Sequence, residues 1–125
     1  MLKPETGVDG ERLSRDVRER YVKAFMDLVL LSLLVRRPMC GYELIAEVHE
    51  RLRILPSPGA VYPLLSLLEG RGYVRQEPGN ERRKKVYVLT PMGREVCVRL
   101  IEECRRVSEL FLLSLQGAPG QTPLG

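Results

Sequence analysis

From Glu11 onward apolar residues recur with the period of a helix. Leu13, Val17, Tyr21 and Phe25 are spaced by four, and Leu28, Leu31 and Val35 continue the stripe. One long helix or two consecutive helices therefore fill residues 11–36. Pro38 ends them, because the residue before a proline is pushed out of helical geometry. A further helix is predicted from about Gly41 to Arg53. Its core face is Leu44, Ile45, Val48 and Leu52, and Glu43 sits in its first turn, where the helix dipole favours an acid. Ser57-Pro58 opens the next helix, with serine as N-cap and proline at the first helical position. Val61, Leu64, Leu65 and Leu68 form its buried stripe, and Gly72 supplies a left-handed stop.

The pattern then changes from helix to strand. Tyr73 to Glu77 and Lys85 to Leu89 are short strand candidates joined by a turn at Pro78-Gly79-Asn80-Glu81, which makes a hairpin. Thr90-Pro91 repeats the cap-and-proline start, and a helix of about 25 residues follows to about Leu115. The fold class is mainly α with a small β-hairpin: a winged helix-turn-helix domain plus a long C-terminal dimerisation helix. Residues 1–10 carry Pro4, Gly7 and Gly10 without apolar periodicity and read as a flexible lead-in. Residues 11–90 form the winged unit with an extra N-terminal helix, 91–116 the dimerisation helix, and 117–125 a disordered tail.

A chain of 125 residues supports one domain, and 44% apolar content supports one core. The net charge of +4 is a mild bias toward anionic partners and decides little alone. Sixteen of the twenty basic residues are arginine, which suits phosphate and base edges but equally fits a G+C-rich genome. Three cysteines without disulfide-like spacing argue for a reducing compartment. The greasiest stretch, Val22 to Val35, is broken by Lys23 and Asp27 and is shorter than the roughly 20 residues a bilayer needs. The expectation is a soluble, cytoplasmic protein.

The distribution of charge is more telling than its sum. Arg82, Arg83, Lys84 and Lys85 are consecutive, immediately after the hairpin turn. Such a run is often only a solvated face, but at the tip of a wing it fits the phosphate backbone of a duplex. The helix expected to enter the major groove is different in kind: from Ser57 to Glu69 it has no Lys or Arg. Its outward residues, Ser57, Ala60, Tyr62, Pro63 and Ser66, offer hydroxyls, a phenol and apolar contact with thymine methyls. Pro63 removes the hydrogen bond to the Gly59 carbonyl and predicts an irregular first turn. Gly59 would absorb that and let the backbone approach DNA closely. The bland alternative for Tyr62 is a half-buried tyrosine packed on the wing.

In the last helix Cys97, Leu100, Cys104, Val107, Phe111 and Ser114 are spaced 3, 4, 3, 4, 3, the period of a coiled-coil seam. Ile101, Leu110, Leu112, Leu113 and Leu115 widen the apolar surface beyond what one small core covers. A two-fold dimer is expected, with Leu13, Val17 and Tyr21 covering part of that helix. The dimer residues are Leu13, Val17, Tyr21, Cys97, Leu100, Ile101, Cys104, Val107, Phe111 and Leu115, against the alternative that the last helix packs on the first within one chain. Cys104 near the axis suggests a redox switch, but a free cysteine is commonly a small buried hydrophobe. His49, the only histidine, lacks partners for a metal site with Cys40 and is expected on the exposed side of its helix. No metal and no cofactor is expected.

The segments Pro38-Met39-Cys40-Gly41-Tyr42-Glu43-Leu44, Ser57-Pro58-Gly59-Ala60-Val61-Tyr62-Pro63-Leu64-Leu65, Leu68-Glu69, Gly72-Tyr73-Val74 and Tyr87-Val88-Leu89-Thr90-Pro91-Met92-Gly93, with the basic run, resemble a PadR-type regulator over about Ala24 to Leu100. The Ser-Pro-Gly-x-Val-Tyr-Pro-Leu-Leu run is the specific part; the Thr-Pro-x-Gly helix start is shared with other winged helices. The resemblance implies a homodimeric repressor of a nearby gene. It places Ser57, Gly59, Ala60, Tyr62 and Pro63 toward DNA and Arg82 to Lys85 on the backbone. Members often carry His where this chain has Cys40, and many have a larger C-terminal domain, so the chain looks like the short subclass. Glu11 to Tyr21 would then be an added helix on the partner subunit. The resemblance also implies a flat aromatic effector between subunits, for which Tyr21, Phe25 and Phe111 are the candidate lining.

Two function classes follow. The first is a sequence-specific double-stranded DNA-binding transcriptional regulator, a homodimeric repressor. The alternative is a winged helix used only as a protein-interaction module without DNA binding. An enzyme has no support: no nucleophile–base pair, phosphate-cradling glycine loop or carboxylate dyad stands at useful spacing.

Overall fold

The computed structural model describes residues 3–80 and 84–117. Residues 118–125 of the tail expected at 117–125 and the wing residues Glu81, Arg82 and Arg83 lie outside the described residues. Seven elements run in order: α1 (Lys3–Ala24), α2 (Met26–Arg36), α3 (Gly41–Leu52), α4 (Pro58–Gly70), β1 (Val74–Pro78), β2 (Lys85–Leu89) and α5 (Pro91–Gln116). Mainly helical with one antiparallel hairpin, this is a winged-helix arrangement with a long last helix.

Helix α1 begins at Lys3, so the glycine-bearing stretch expected to be a lead-in is helical over residues 3–10. Pro4 falls in the first turn, where its missing N–H is no loss. The glycines lower helix propensity without forbidding the helix. Of the two readings open for 11–36, two helices form. The break is at Phe25 (φ −118°, ψ 29°), and it is a bend: Phe25 N–H still donates to Tyr21 O at 3.0 Å and Val29 N–H to Phe25 O at 2.9 Å. Asp27 Oδ1 accepts the Leu28 N–H at 2.7 Å, a local bond that serves the new helix start where Phe25 has no cap of its own.

Helix α2 is the centre of the core. Met26, Leu30, Leu31, Leu33 and Leu34 are buried, and α3, α4, α5 and β2 all pack on it. Leu44, Ile45 and Val48 of α3 and Val61, Leu65 and Leu68 of α4 close the same core, with Leu52 and Leu64 at its margin. Val74, Tyr87 and Leu89 enter from the hairpin and Cys97 from α5. Among the described residues no polar or charged side chain is buried, so the core is held by apolar burial alone.

The strands pair antiparallel with Val74 opposite Leu89 and Pro78 opposite Lys85. The hairpin closes through Gly79 N–H to Lys84 O at 2.7 Å, so its loop is wider than the four-residue turn read at 78–81. A side chain at 79 would stand 2.8 Å from that carbonyl, which explains the glycine. A second pairing has no local signal in the chain: Met39, between α2 and α3, bridges Tyr87, with Tyr87 N–H to Met39 O at 2.8 Å and Met39 N–H to Tyr87 O at 3.3 Å. The wing is thereby stitched to the start of α3.

The caps explain the remaining boundaries. Cys40 takes the N-cap role on α3 in a reciprocal capping box. Its Sγ accepts from Glu43 N–H at 3.5 Å, and Glu43 Oε1 accepts from Cys40 N–H at 2.9 Å. The bond from the Cys40 backbone is the main reason the Glu43 carboxyl is held below the usual carboxylate range. At the end of α4, Gly72 (φ 83°) forms the expected left-handed stop. Tyr73 N–H reaches Leu68 O and Gly72 N–H reaches Glu69 O, both at 3.0 Å, which is a Schellman closure.

Candidate nucleic-acid interface

Helix α4 presents two unlike faces. Val61, Leu65 and Leu68 are buried, while Ser57, Gly59, Ala60, Tyr62, Pro63 and Ser66 are all exposed, as their spacing predicts. Ser57 caps the helix, its Oγ accepting the Ala60 N–H at 3.2 Å. The expected irregularity from Pro63 is not a break: α4 is continuous from Pro58 to Gly70. The carbonyl that Pro63 leaves without its helix partner belongs to exposed Gly59, where water can take the bond. What the first turn does show is a tight bond from Ala60 N–H to Ser57 O at 3.0 Å, beside the helical Val61 N–H to Ser57 O at 3.1 Å.

Gly59 stands in open space. A methyl group there would meet nothing closer than Ser57 Oγ at 4.0 Å, so the chain's own packing does not require glycine. Tyr62 is 41% exposed, and its ring lies against Gly41, the first residue of α3. It thus packs on the neighbouring helix, and its nearness to Tyr87 is felt electrostatically as a minor influence raising the Tyr87 phenol, after burial and Glu69.

The wing stands beside this face. Lys84 and Lys85 are exposed, and the Lys84 charge reaches Glu43 at the start of α3. On the flank, Arg37 forms ion pairs with Glu43 (3.6 Å) and Glu47 (4.0 Å), and Arg51 pairs with Glu47 at 2.8 Å. Tyr42, second residue of α3, is 75% exposed. An aromatic on the polar side of an amphipathic helix is a signal in its own right, beyond its place in the Pro38–Leu44 motif.

Further exposed apolar residues lie on α1 and on α5. Leu13, Val17 and Tyr21 of α1 are exposed, as are Phe25 at the break between α1 and α2 and Ile101, Val107, Leu110, Phe111, Leu112, Leu113 and Leu115 of α5. Cys104 is half-buried. Two of the expected dimer residues point elsewhere. Cys97 is 1% exposed inside the chain's own core, and Leu100 packs against that core. The seam spacing runs along all of α5, but its first two positions are used within the chain's own core.

Residues 30–99 match the profile of the transcriptional regulator PadR-like family. The chain belongs to that family. The transcriptional regulator YqjI of Escherichia coli K12 is 32% identical to this PadR-like chain over 95 residues, which are 73% of the chain and 44% of that relative. The chain therefore spans less than half the length of that curated relative. Among solved structures, a PadR-like regulator from Bacillus cereus superposes with a TM-score of 0.72 at 22% identity, covering 79% of this chain and 99% of the other. A PadR family regulator from Clostridium difficile gives 0.67 at 24% identity, covering 73% and 98%. F93 from STIV, a winged-helix DNA-binding protein, gives 0.58 at 27% identity, covering 64% and 87%.

In the PadR-like chain all three cysteines are free thiols, and burial pushes the Cys97 thiol up. His49 is exposed. Among the described residues no group of three or more His, Cys, Asp or Glu is placed to hold a metal, and no helix is long and apolar enough to cross a membrane.

Proposed function

We propose that this chain is a cytoplasmic, sequence-specific double-stranded DNA-binding regulator that acts as a homodimeric repressor. One observation carries the reading. The whole outward face of α4, from Ser57 to Ser66, is exposed, free of Lys and Arg, and flanked by a hairpin bearing Lys84 and Lys85. A helix with small residues on its outer side fits the major groove closely, and its first-turn N–H groups favour a phosphate. Affinity then comes from the wing and selectivity from Ser57, Gly59, Ala60, Tyr62, Pro63 and Ser66. Family membership and the winged-helix DNA-binding likeness support the same reading.

The dimer joins through the distal part of α5 and the apolar stripe of α1 from a second copy. Leu13, Val17, Tyr21, Ile101, Cys104, Val107, Phe111 and Leu115 remain the interface residues. In that arrangement two α4 helices lie about 34 Å apart, one turn of duplex. Tyr21, Phe25 and Phe111, all exposed in one subunit, are the residues for a flat aromatic effector between subunits.

The test is selection of bound fragments from the source genome, followed by titration against salt. If about eight phosphates are neutralised per dimer, the log–log slope is near −7. Failure to retain any duplex in dilute buffer overturns the reading. The protein-interaction alternative takes its support from the uncharged α4 face. Changing Arg82 and Arg83 to Glu abolishes duplex retardation under the first reading and leaves partner binding intact under the second.

A further inference from the structure

Tyr62 is the largest side chain on the outward face of α4, and nothing on α4 alone would hold its ring in one direction. The ring rests on Gly41. A β-carbon at Gly41 would coincide with the hydroxyl end of Tyr62, standing 2.5 Å from both Cζ and Oη, with Cε1 also in the way. No real side chain fits there while the ring keeps its place. We propose that Gly41 is a positioning residue for DNA readout: its missing side chain is the seat that orients the Tyr62 ring toward the duplex. This rests on the assignment of α4 as the reading helix.

The seat is fixed from three sides. Met39 is paired with Tyr87 of the wing through two backbone bonds. Cys40 is locked by the capping box with Glu43, and Leu44 N–H closes the first turn on Cys40 O at 3.0 Å. Gly41 itself is buried in the first turn of α3, where a larger residue carries no conformational penalty of its own. A ring held on such a floor reaches the groove already oriented, so less freedom is lost on binding. With no Lys or Arg on α4 to compensate, selectivity depends on where that ring points.

The obstruction is the far end of a flexible side chain, so Gly41→Ala should fold, with the ring swung away. The experiment is a cycle of wild type, Gly41→Ala, Tyr62→Ala and the double variant. Each is titrated with a selected duplex and with an unrelated one, and unfolding is followed by circular dichroism. Fluorotyrosine placed at Tyr62 reports the ring's surroundings in free protein. The expected result is about tenfold weaker binding to the selected duplex for Gly41→Ala in the Tyr62 background. In the Tyr62→Ala background the same change has no effect, affinity for the unrelated duplex hardly moves, and the fluorine resonance shifts toward solvent. Equal losses in both backgrounds, or an unmoved resonance, overturn the proposal while wild-type binding leaves the function standing. A Gly41→Ala protein that unfolds but is restored by Tyr62→Ala supports the seat; one that Tyr62→Ala does not restore overturns it. A wild type that binds no duplex overturns both.

Discussion

The two stretches of α5 are one unbroken helix and two different surfaces. In the first, Gly93, Val96, Cys97 and Leu100 face α2 and β2, and the start is joined to the end of α4: Thr90 Oγ1 donates to Gly72 O at 2.6 Å and lies 3.1 Å from Tyr73 O, and Thr90 N–H donates to Tyr73 O at 3.0 Å. In the second, from Ile101 to Leu115, apolar residues occur on every side and none is buried. The first stretch belongs to the core of one chain. The second is the stretch that the proposed dimer would cover, because a helix of about 39 Å extends well past the elements it packs on.

The comparison can be broken hardest at Gly93. A β-carbon there would fall on the Tyr73 carbonyl oxygen and 2.9 Å from Leu89 Cδ1, and the Tyr73 obstacle is backbone that cannot swing aside. Gly93→Ala should cost about 3 kcal/mol or more and lower the melting temperature of the subunit. A variant with an unchanged melting curve would mean the joint between α5 and α4 is looser than its geometry. At the other end, Phe111→Asp should leave the subunit folded and shift it to monomer. Placing a carboxylate in an apolar seam costs on the order of 2–3 kcal/mol, about a hundredfold in dimer dissociation constant by sedimentation equilibrium. Unfolding of the subunit, or an unchanged dimer, would erase the distinction between the two stretches.

Two cysteines seven residues apart on the same helix sharpen it further. Cys97 is buried and its thiol is pushed up by burial, so it stays protonated and unreactive near neutral pH. Cys104 is partly open. Cys97→Ser, which leaves a hydroxyl in an apolar core, should cost about 1–3 kcal/mol; Cys104→Ser should stay within about 0.5 kcal/mol in a monomeric background such as Phe111→Asp. A thiol reagent should label Cys104 well ahead of Cys97 in that background. Equal labelling rates would show that the first stretch opens as readily as the second.

Most of the elements were legible in the sequence because their signals are local. Apolar spacing, Ser57-Pro58, Thr90-Pro91 and Gly72 each act within one turn of where they stand. Most of the misses are non-local. Cys97 and Cys104 share one seam pattern, and nothing in that pattern says which positions the chain's own α2 will cover. The bridge from Met39 to Tyr87 joins residues far apart in sequence. Gly41 had a visible composition but no visible reason, since the ring that needs its space belongs to α4. The early start of α1 was hidden because Gly7 and Gly10 weaken a helix signal without abolishing the helix. The exposure of the outward face of α4 is legible for a simple reason: once Val61, Leu65 and Leu68 are buried, geometry leaves the rest outside.

Gly59 gives the gentlest test of the difference between regions closed within the chain and regions left open to a partner. Gly93 is glycine because the fold has no room; Gly59 has room and is glycine nonetheless. It lies within the first turn of a helix, where alanine is the better residue, so Gly59→Ala should raise subunit stability by up to about 1 kcal/mol. If the vacant space belongs to a duplex, the same methyl group should weaken binding, so that stability and affinity move in opposite directions. Chemical denaturation and fluorescence anisotropy on one preparation read both. A more stable protein with undiminished affinity would mean that the backbone at Gly59 does not closely approach the nucleic acid, and that the contacts of α4 begin further along, at Tyr62.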